Sequence, residues 1–346
     1  MNQAANELSL RLRRQAIASG ADLVGIAPAK PLPEASAYQR WIEAGMQAGM
    51  DYMARNEECR LDITRWYEQA RSVLICGFSY ASNSPAPDSD ADQGRFARYS
   101  ALPDYHPELK KRMLSILDWL KRESPGADGR AFVDTSPLLE RLYARYAGVG
   151  WVGKNAMLIS PRKGSYFLIA GLALNLELEC DEPEPEHCGS CNRCIEACPT
   201  EAFVEPKVLD ASRCVAYFTI EHRGAIPEGF RPGIGSWVMG CDICQEVCPW
   251  NRFARRGPAF GEPAELSLPL EQLAGLSPSD FRRRFADTPV SRAKHKGLLR
   301  NALLAMGNSG NPAFRPALER FRQDPDPVLR EQAEWSLARL PVDGQS

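Results

Sequence analysis

The pattern of apolar and polar positions divides the chain into three stretches of different character. In the first, Leu8, Leu12 and Ile17 form a helical stripe that stops at Gly20, and Asp22–Ile26 then reads as a strand. Val73–Tyr80 has the largely apolar composition of a second strand. A Pro-, Ser- and Asp-rich loop follows from Asn83 to Gln93. Beyond it, Leu109, Met113, Ile116, Leu117 and Leu120 share one face of a helix opened by Pro107. Ala131–Val133 is a short strand ending at Asp134. Ser136 and Pro137 look like the cap and first residue of a helix over Pro137–Ala147, and Tyr166–Leu174 is a further strand. Such alternation of helix and strand predicts an α/β unit.

From Glu179 to about Phe253 the periodicity gives way to short segments punctuated by Cys, Pro and Gly. After about Gly257 helices return. Leu298–Met306 and Val328–Leu340 read as amphipathic helices, separated by Gly307–Pro312 and Asp324–Pro327, in the manner of a short HEAT-like repeat. The expected boundaries are 1–178, 179–258 and 259–346.

No stretch approaches the roughly 20 apolar residues of a membrane span, and the N-terminal segment mixes charges without the apolar centre of a signal peptide. A soluble, cytoplasmic protein without a membrane partner is expected. In a reducing compartment, eleven cysteines serve metals or catalysis rather than disulfides. Cys59, Cys76 and Cys180 fall outside any ligand spacing, and Cys76 reads as a small core residue. The net charge of −2 calls for no polyanion. Yet positions 281–300 carry seven basic residues (Arg282, Arg283, Arg284, Arg292, Lys294, Lys296, Arg300) against Asp287 alone. Such a run is a solvated helix face or a phosphate-binding surface.

Cys188-Gly-Ser-Cys191-Asn-Arg-Cys194-Ile-Glu-Ala-Cys198-Pro199 reproduces the bacterial ferredoxin run. Cys241-Asp-Ile-Cys244-Gln-Glu-Val-Cys248-Pro249 repeats its second part, with Cys214 as the missing early ligand. Two-residue gaps fold three thiolates around one corner of a cube, and the trailing Cys-Pro sends the fourth to the neighbouring cluster. The spacing therefore gives one 4Fe-4S cluster to Cys188, Cys191, Cys194 and Cys248. The second falls to Cys214, Cys241, Cys244 and Cys198. Structural zinc also uses C-x-x-C pairs, but not the third step or the Cys-Pro.

Gly148-Val-Gly-Trp-Val-Gly153-Lys154-Asn155 matches G-x-G-x-x-G and nearly matches a P-loop. Both motifs require a preceding strand, whereas a helix precedes here, so Gly148 reads as a helix C-cap. The remaining glycines are expected to let backbone approach a bulky ligand, with Lys154 and Asn155 touching its edge.

Other phrases accompany the cassettes: Asp104-Tyr-His106, Val133-Asp-Thr-Ser-Pro-Leu-Leu-Glu-Arg141, Gly150-Trp-Val-Gly-Lys-Asn155, Cys214-Val-Ala-Tyr-Phe-Thr-Ile-Glu221, Gly240-Cys-Asp-Ile-Cys-Gln-Glu-Val-Cys-Pro-Trp-Asn251 and Lys296-Gly-Leu-Leu-Arg-Asn301. With them the chain resembles the epoxyqueuosine reductases, cobalamin-dependent iron–sulfur enzymes of queuosine biosynthesis, over nearly its whole length. The resemblance implies an N-terminal α/β cobalamin-binding domain, a two-cluster ferredoxin-like domain, and a C-terminal HEAT-like α-helical domain that holds tRNA. It implies an oxidoreductase that converts epoxyqueuosine to queuosine at the tRNA wobble position, consuming two electrons and two protons and releasing water. The electrons would come from an external low-potential donor of flavodoxin or ferredoxin type, and the enzyme would be a monomer.

In that family setting Asp134 is expected to be the proton donor to the opened epoxide and a cobalamin contact, its pKa raised by burial against the corrin. His106 would lie near the lower face of the cobalt. Arg60, Arg141, Lys154, Asn155 and Ser160 would meet the corrin side chains. The basic run becomes an anticodon-stem contact through Arg283, Lys294, Lys296 and Arg300, and an aromatic or arginine pocket should take the flipped wobble base. A cobalamin/iron–sulfur reductive dehalogenase of small organohalides is the alternative enzyme, against which the basic segment and helical tail argue. A pure electron carrier would leave the N-terminal stretch without a task.

Overall fold

The computed structural model describes residues 3–81, 91–255, 257, 260 and 266–341. Leu23–Pro28, Ser72–Ser79, Phe167–Leu174 and Gly129–Val133 lie side by side in that order, and every neighbouring pair is antiparallel. The N-terminal unit is therefore α+β, which corrects the α/β expectation. Helices between strands do not fix strand direction, and here the long connections return the chain antiparallel.

Alternate side chains of this sheet feed two cores. On one side Leu74, Cys76 and Phe78 pack against Leu12, Leu109, Met113, Ile116 and Leu120 from the helices Gln3–Ala18 and Tyr105–Glu123. On the other, Val73, Ile75 and Phe132 pack against Ile63, Tyr143, Ala144 and Ala147. The helical stripe holds at Leu12, but its continuation is Ala16, one turn on. Ile17 is 59% exposed, because five residues rotate it well off the Leu12 face. Burial pushes the Cys76 thiol up to about 12, the state of an inert core residue.

The helix expected over Pro137–Ala147 is confined to Glu140–Tyr146. Ser136 does not cap it; its N–H closes a turn onto the Val133 carbonyl at 2.9 Å. That turn leaves Asp134 at the end of the strand. The helix does stop at Gly148, whose φ of +66° suits glycine.

The expected loop Asn83–Gln93 lies outside the described residues as far as residue 90, and Gln93 already opens the strand Gln93–Phe96. This strand pairs parallel with Trp237–Met239 and antiparallel with Ser267–Pro269. All three expected stretches thus contribute to one small sheet. The C-terminal helices do form, but Lys294–Ser309 is not amphipathic: every residue from Leu298 to Gly307 is buried. It runs through the middle of a core that includes Leu270, Leu273, Phe281, Phe285, Leu318 and Leu329.

Candidate functional site

Asp134 leaves its strand beside the N-terminus of the helix Tyr105–Glu123, whose cap, Asp104, accepts the His106 N–H at 3.0 Å. This brings three side chains onto the Asp134 carboxylate's neighbourhood. The Tyr105 hydroxyl donates to Oδ2 at 2.6 Å, and His106 Nε2 lies 2.6 Å from Oδ1. The other ring nitrogen, Nδ1, lies 2.6 Å from Asp104 Oδ1. An imidazole facing a carboxylate at both nitrogens holds a proton at each, and the Asp134 bond raises His106 above its ordinary value despite partial burial. Burial pushes the Asp134 carboxyl up, but the hydrogen bonds from His106 and Tyr105 outweigh it and hold it below the usual carboxylate range. The expected rise was tied to burial against a corrin; in the chain alone the two donors, Tyr105 and His106, set the direction.

Tyr52, Glu221 and Arg292 complete the surroundings. Arg292 Nε donates to Glu221 Oε1 at 2.8 Å and Nη2 to the Tyr52 hydroxyl at 3.4 Å. Tyr52 and Arg292 both lie within electrostatic reach of Asp134. None of the three was singled out for this site. Glu221 closes one family phrase, Arg292 was counted only in the basic run, and Tyr105 stood unassigned between Asp104 and His106.

The expected corrin contacts fall into two groups. Arg60 and Arg141 lie on the Asp134 side, joined through Glu140, which feels Arg141, Asp134 and Arg60. Arg60 Nη2 donates to the Tyr52 carbonyl at 3.4 Å, and its Nε is buried without a partner among the described residues. Arg141 donates to the Ala156 carbonyl. Lys154 and Asn155 instead face the cysteine cassettes: Lys154 Nζ donates to Asn192 Oδ1 at 2.8 Å and Asn155 Nδ2 to the Cys244 carbonyl at 3.3 Å. Ser160 is fully buried and its hydroxyl accepts the Arg162 N–H at 3.3 Å. Gly150 and Gly153 let the hairpin of Trp151–Val152 with Leu158–Ile159 close. A Cβ on Gly150 would stand 2.2 Å from the Ile159 carbonyl oxygen, and one on Gly153 2.4 Å from Ile159 Cδ1.

The eight cassette thiols gather in two sets. Cys194 lies within electrostatic reach of Cys188 and Cys248, and Cys248 of Cys188 and Cys191. Cys241 is within reach of Cys214 and Cys198, and Cys244 of Cys241 and Cys214. Cys244 also feels Cys194, so the sets adjoin. Trp151 Nε1 donates to Cys188 Sγ at 3.4 Å and the Ala202 N–H to Cys198 Sγ at 3.3 Å, bonds of the kind that tune cluster potential. Cys214 begins the helix Val215–Ile220, which ends at Glu221, so its set is tied to the Asp134 surroundings by a helix of under two turns.

The basic run divides. Arg283 has a side chain 79% exposed, paired with Asp280, and Lys294 is exposed. Lys296 Nζ is 2.6 Å from Asp326 Oδ2 at the surface. Arg300 is 1% exposed and donates to the carbonyls of Phe218, His222 and Gly224. A guanidinium locked inside that cage cannot meet a phosphate, which corrects its assignment to tRNA. Burial lowers its pKa to about 10.

A family model described as a 4Fe-4S double cluster binding domain matches residues 187–251, and one described as epoxyqueuosine reductase QueG, DUF1730 matches residues 60–135. The epoxyqueuosine reductase of Xanthomonas campestris pv. campestris is 36% identical over 341 residues, 96% of each chain. Those of Synechocystis sp. and Pseudomonas aeruginosa are 40% and 38% identical, covering 81% and 92% of this chain and 98% and 91% of theirs. A crystal structure of epoxyqueuosine reductase with an epoxyqueuosine-modified tRNA-Tyr stem loop superimposes with a TM-score of 0.88 at 31% identity, over 96% of this chain and 90% of that one. The Streptococcus thermophilus enzyme gives a TM-score of 0.85 at 25% identity, over 97% and 91%. With relatives this similar along almost its entire length, the chain belongs to the epoxyqueuosine reductase family.

Proposed function

We propose that this protein reduces epoxyqueuosine to queuosine at the wobble position of tRNA, using two 4Fe-4S clusters and cobalamin. The observation that carries the proposal is the near end-to-end match to epoxyqueuosine reductases, joined to a carboxylate held between the His106 ring and the Tyr105 hydroxyl. The whole-length match favours this over a reductive dehalogenase.

The residues present fit both groups. Cys188, Cys191, Cys194 and Cys248 would hold one cluster and Cys198, Cys214, Cys241 and Cys244 the other, in the two sets the fold brings together. Two adjoining clusters supply single electrons in series. Cobalamin is suited by the buried, unpartnered Arg60 Nε, with Arg141, His106 and Asp134 in the same neighbourhood. When bound it supplies two-electron reducing power at cobalt. Lys154 and Asn155, set toward the cassettes, would meet it only at its far edge, and the fully buried Ser160 would not touch it.

The chain's own part is proton supply. Breaking the epoxide C–O bond places negative charge on oxygen, and an acid within hydrogen-bond reach lowers that barrier. Asp134 passes a proton to this oxygen and is recharged from His106 Nε2, which Asp104 holds in position through Nδ1. Tyr105 fixes the second carboxylate oxygen. With two electrons and two protons the epoxide becomes an alkene, and its oxygen leaves as water. Loss of solvent over Asp134 on loading would move its carboxyl upward, toward the range a proton donor needs.

Exposed Arg283 and Lys294, with Lys296 once freed from Asp326, would meet anticodon-stem phosphates. An external low-potential donor, flavodoxin- or ferredoxin-like, would feed the clusters of a monomeric, cytoplasmic enzyme. No helix among the described residues is long and apolar enough to cross a membrane.

The test is anaerobic. Purified protein should show cluster absorbance and a corrin spectrum that shifts on binding. The reduced holoenzyme should remove one oxygen atom from an epoxyqueuosine stem loop, read by mass spectrometry. Cluster absorbance without corrin binding would return the protein to a plain electron carrier, and an unchanged epoxide would overturn the substrate.

A further inference from the structure

Tyr52 and Arg292 lie within electrostatic reach of Asp134 and Glu221 holds Arg292, yet the proton chemistry uses none of the three. They come from three distant places: the single turn Asp51–Met53, the end of the helix Val215–Ile220, and the turn Pro289–Ala293. Tyr52 leaves 37% of its surface open. The Arg292 guanidinium carbon lies 5.9 Å from the Tyr52 ring centroid while its Nε is held by Glu221.

The backbone beneath the trio is braced. Arg223 donates to the carbonyls of Arg292 and Ala293 at 3.0 and 3.1 Å, pinning their turn to the helix end that carries Glu221. Two residues on, Lys294 takes a φ of +61°, a left-handed conformation that a side chain resists and that persists only where its surroundings impose it. The result is a fixed acceptor, a fixed donor and a partly exposed ring in mutual contact. Glu221 Oε1 is taken by Arg292, whereas among the described residues Oε2 has Arg223 at 3.9 Å.

A flipped 7-deazaguanine base presents a complementary edge. Its O6 accepts a hydrogen bond, its N1–H and exocyclic amine donate, and its faces stack. We infer that Glu221 and Arg292 together read this Watson–Crick edge, Glu221 accepting from N1–H and the amine and Arg292 donating to O6, with Tyr52 as the stacking face. This rests on the reductase reading above and adds to it the groups that place the base with its side-chain epoxide toward Asp134. An adenine-type edge would set its C6 amine against the guanidinium and its N1 lone pair against the carboxylate, and both contacts repel.

The experiment uses the reconstituted holoenzyme and two competitive inhibitors, anticodon stem loops bearing 7-deazaguanine or 7-deazaadenine at the wobble position. Wild type should bind the first about 10- to 100-fold more tightly, the discrimination one good bidentate contact provides. Glu221→Gln should bring the ratio to within about twofold and raise KM for the epoxyqueuosine stem loop more than it lowers kcat, with cluster absorbance and melting unchanged. Tyr52→Ala should weaken both inhibitors alike. Wild-type indifference to the base, or full discrimination in Glu221→Gln, overturns the inference. If Glu221→Gln fails to fold, Arg292→Gln carries the same test through O6. Uniform weakening of both stem loops in Arg292→Gln would make Arg292 a phosphate contact and refute base reading. Turnover of the epoxyqueuosine stem loop by wild type is the separate control: its absence defeats the reductase reading, whereas its presence with no discrimination defeats only the inference drawn here.

Discussion

The cysteine cassettes and the Asp134 pocket assemble in opposite ways. Within each cassette most thiols are set by short local turns, such as Cys191 N–H onto the Cys188 carbonyl at 3.1 Å and Cys248 N–H onto the Gln245 carbonyl at 3.1 Å, while Cys248, Cys198 and Cys214 join their sets from further along the chain. The pocket is delivered by long-range packing. Asp134 ends a strand, Tyr105 and His106 open a helix, and Glu221 and Arg292 arrive from the cassette and C-terminal stretches. A local device survives moderate disturbance of the fold, whereas a tertiary one shifts with every core that supports it. Electron supply should therefore be robust and modular, and proton supply and base placement should be sensitive to distant packing.

The largest effect that could break this comparison is loss of one cluster. Cys244→Ala should cut iron from about eight to about four atoms per chain and abolish turnover, while the set around Cys188 keeps its signal in electron paramagnetic resonance. Cys248→Ala should deplete the Cys188 set instead. If it depleted the Cys214 set, the crossed assignment would be wrong.

Next comes Arg300, where tertiary packing hides in a basic run. Arg300→Met leaves three backbone carbonyls without their donor and should cost about 2–4 kcal/mol of stability in urea titration. Arg283→Ala, at an exposed site, should change stability by less than about 0.5 kcal/mol but lower the salt slope of stem-loop binding by about one. Equal stability losses in the two variants would contradict the buried cage.

The smallest effect is pH-dependent. Asp134 is held low, so its contribution is present above the ordinary carboxylate value and fades as pH falls through its lowered one. His106 is held high, so its contribution is complete below the ordinary imidazole value and fades as pH rises through its raised one. The pair therefore stabilises most between roughly pH 4 and 6.5. The effect is about 1 kcal/mol or less, because the carboxylate is partly exposed and screened. Denaturation across pH should show this window in wild type and a flatter profile in His106→Asn.

How far the sequence carries follows the same division. The turns within the cysteine cassettes and the helix face of Leu109 to Leu120 were legible, because each depends on neighbours in the chain, whereas the crossing of Cys198 and Cys248 came from the two-cluster ferredoxin pattern. Strand direction was not, since nothing in the helix–strand alternation sets how a long connection returns. Ile17 was misplaced by a stripe spaced by five residues, and the part of Gly150 and Gly153 in letting a hairpin close was not foreseen. The two donors that hold the Asp134 carboxyl low without a corrin over it were not legible, because Tyr105 and His106 reach it only through the fold, at 2.6 Å. Arg300 looked like its exposed neighbours because charge in a sequence carries no depth.

The most direct test of the division between electron feed and proton delivery is single turnover by Asp134→Asn. The account expects iron content, corrin binding and reduction of both clusters as in wild type, with removal of the epoxide oxygen slowed about 10²- to 10⁴-fold. Loss of corrin or clusters in that variant, or turnover at the wild-type rate, would contradict it.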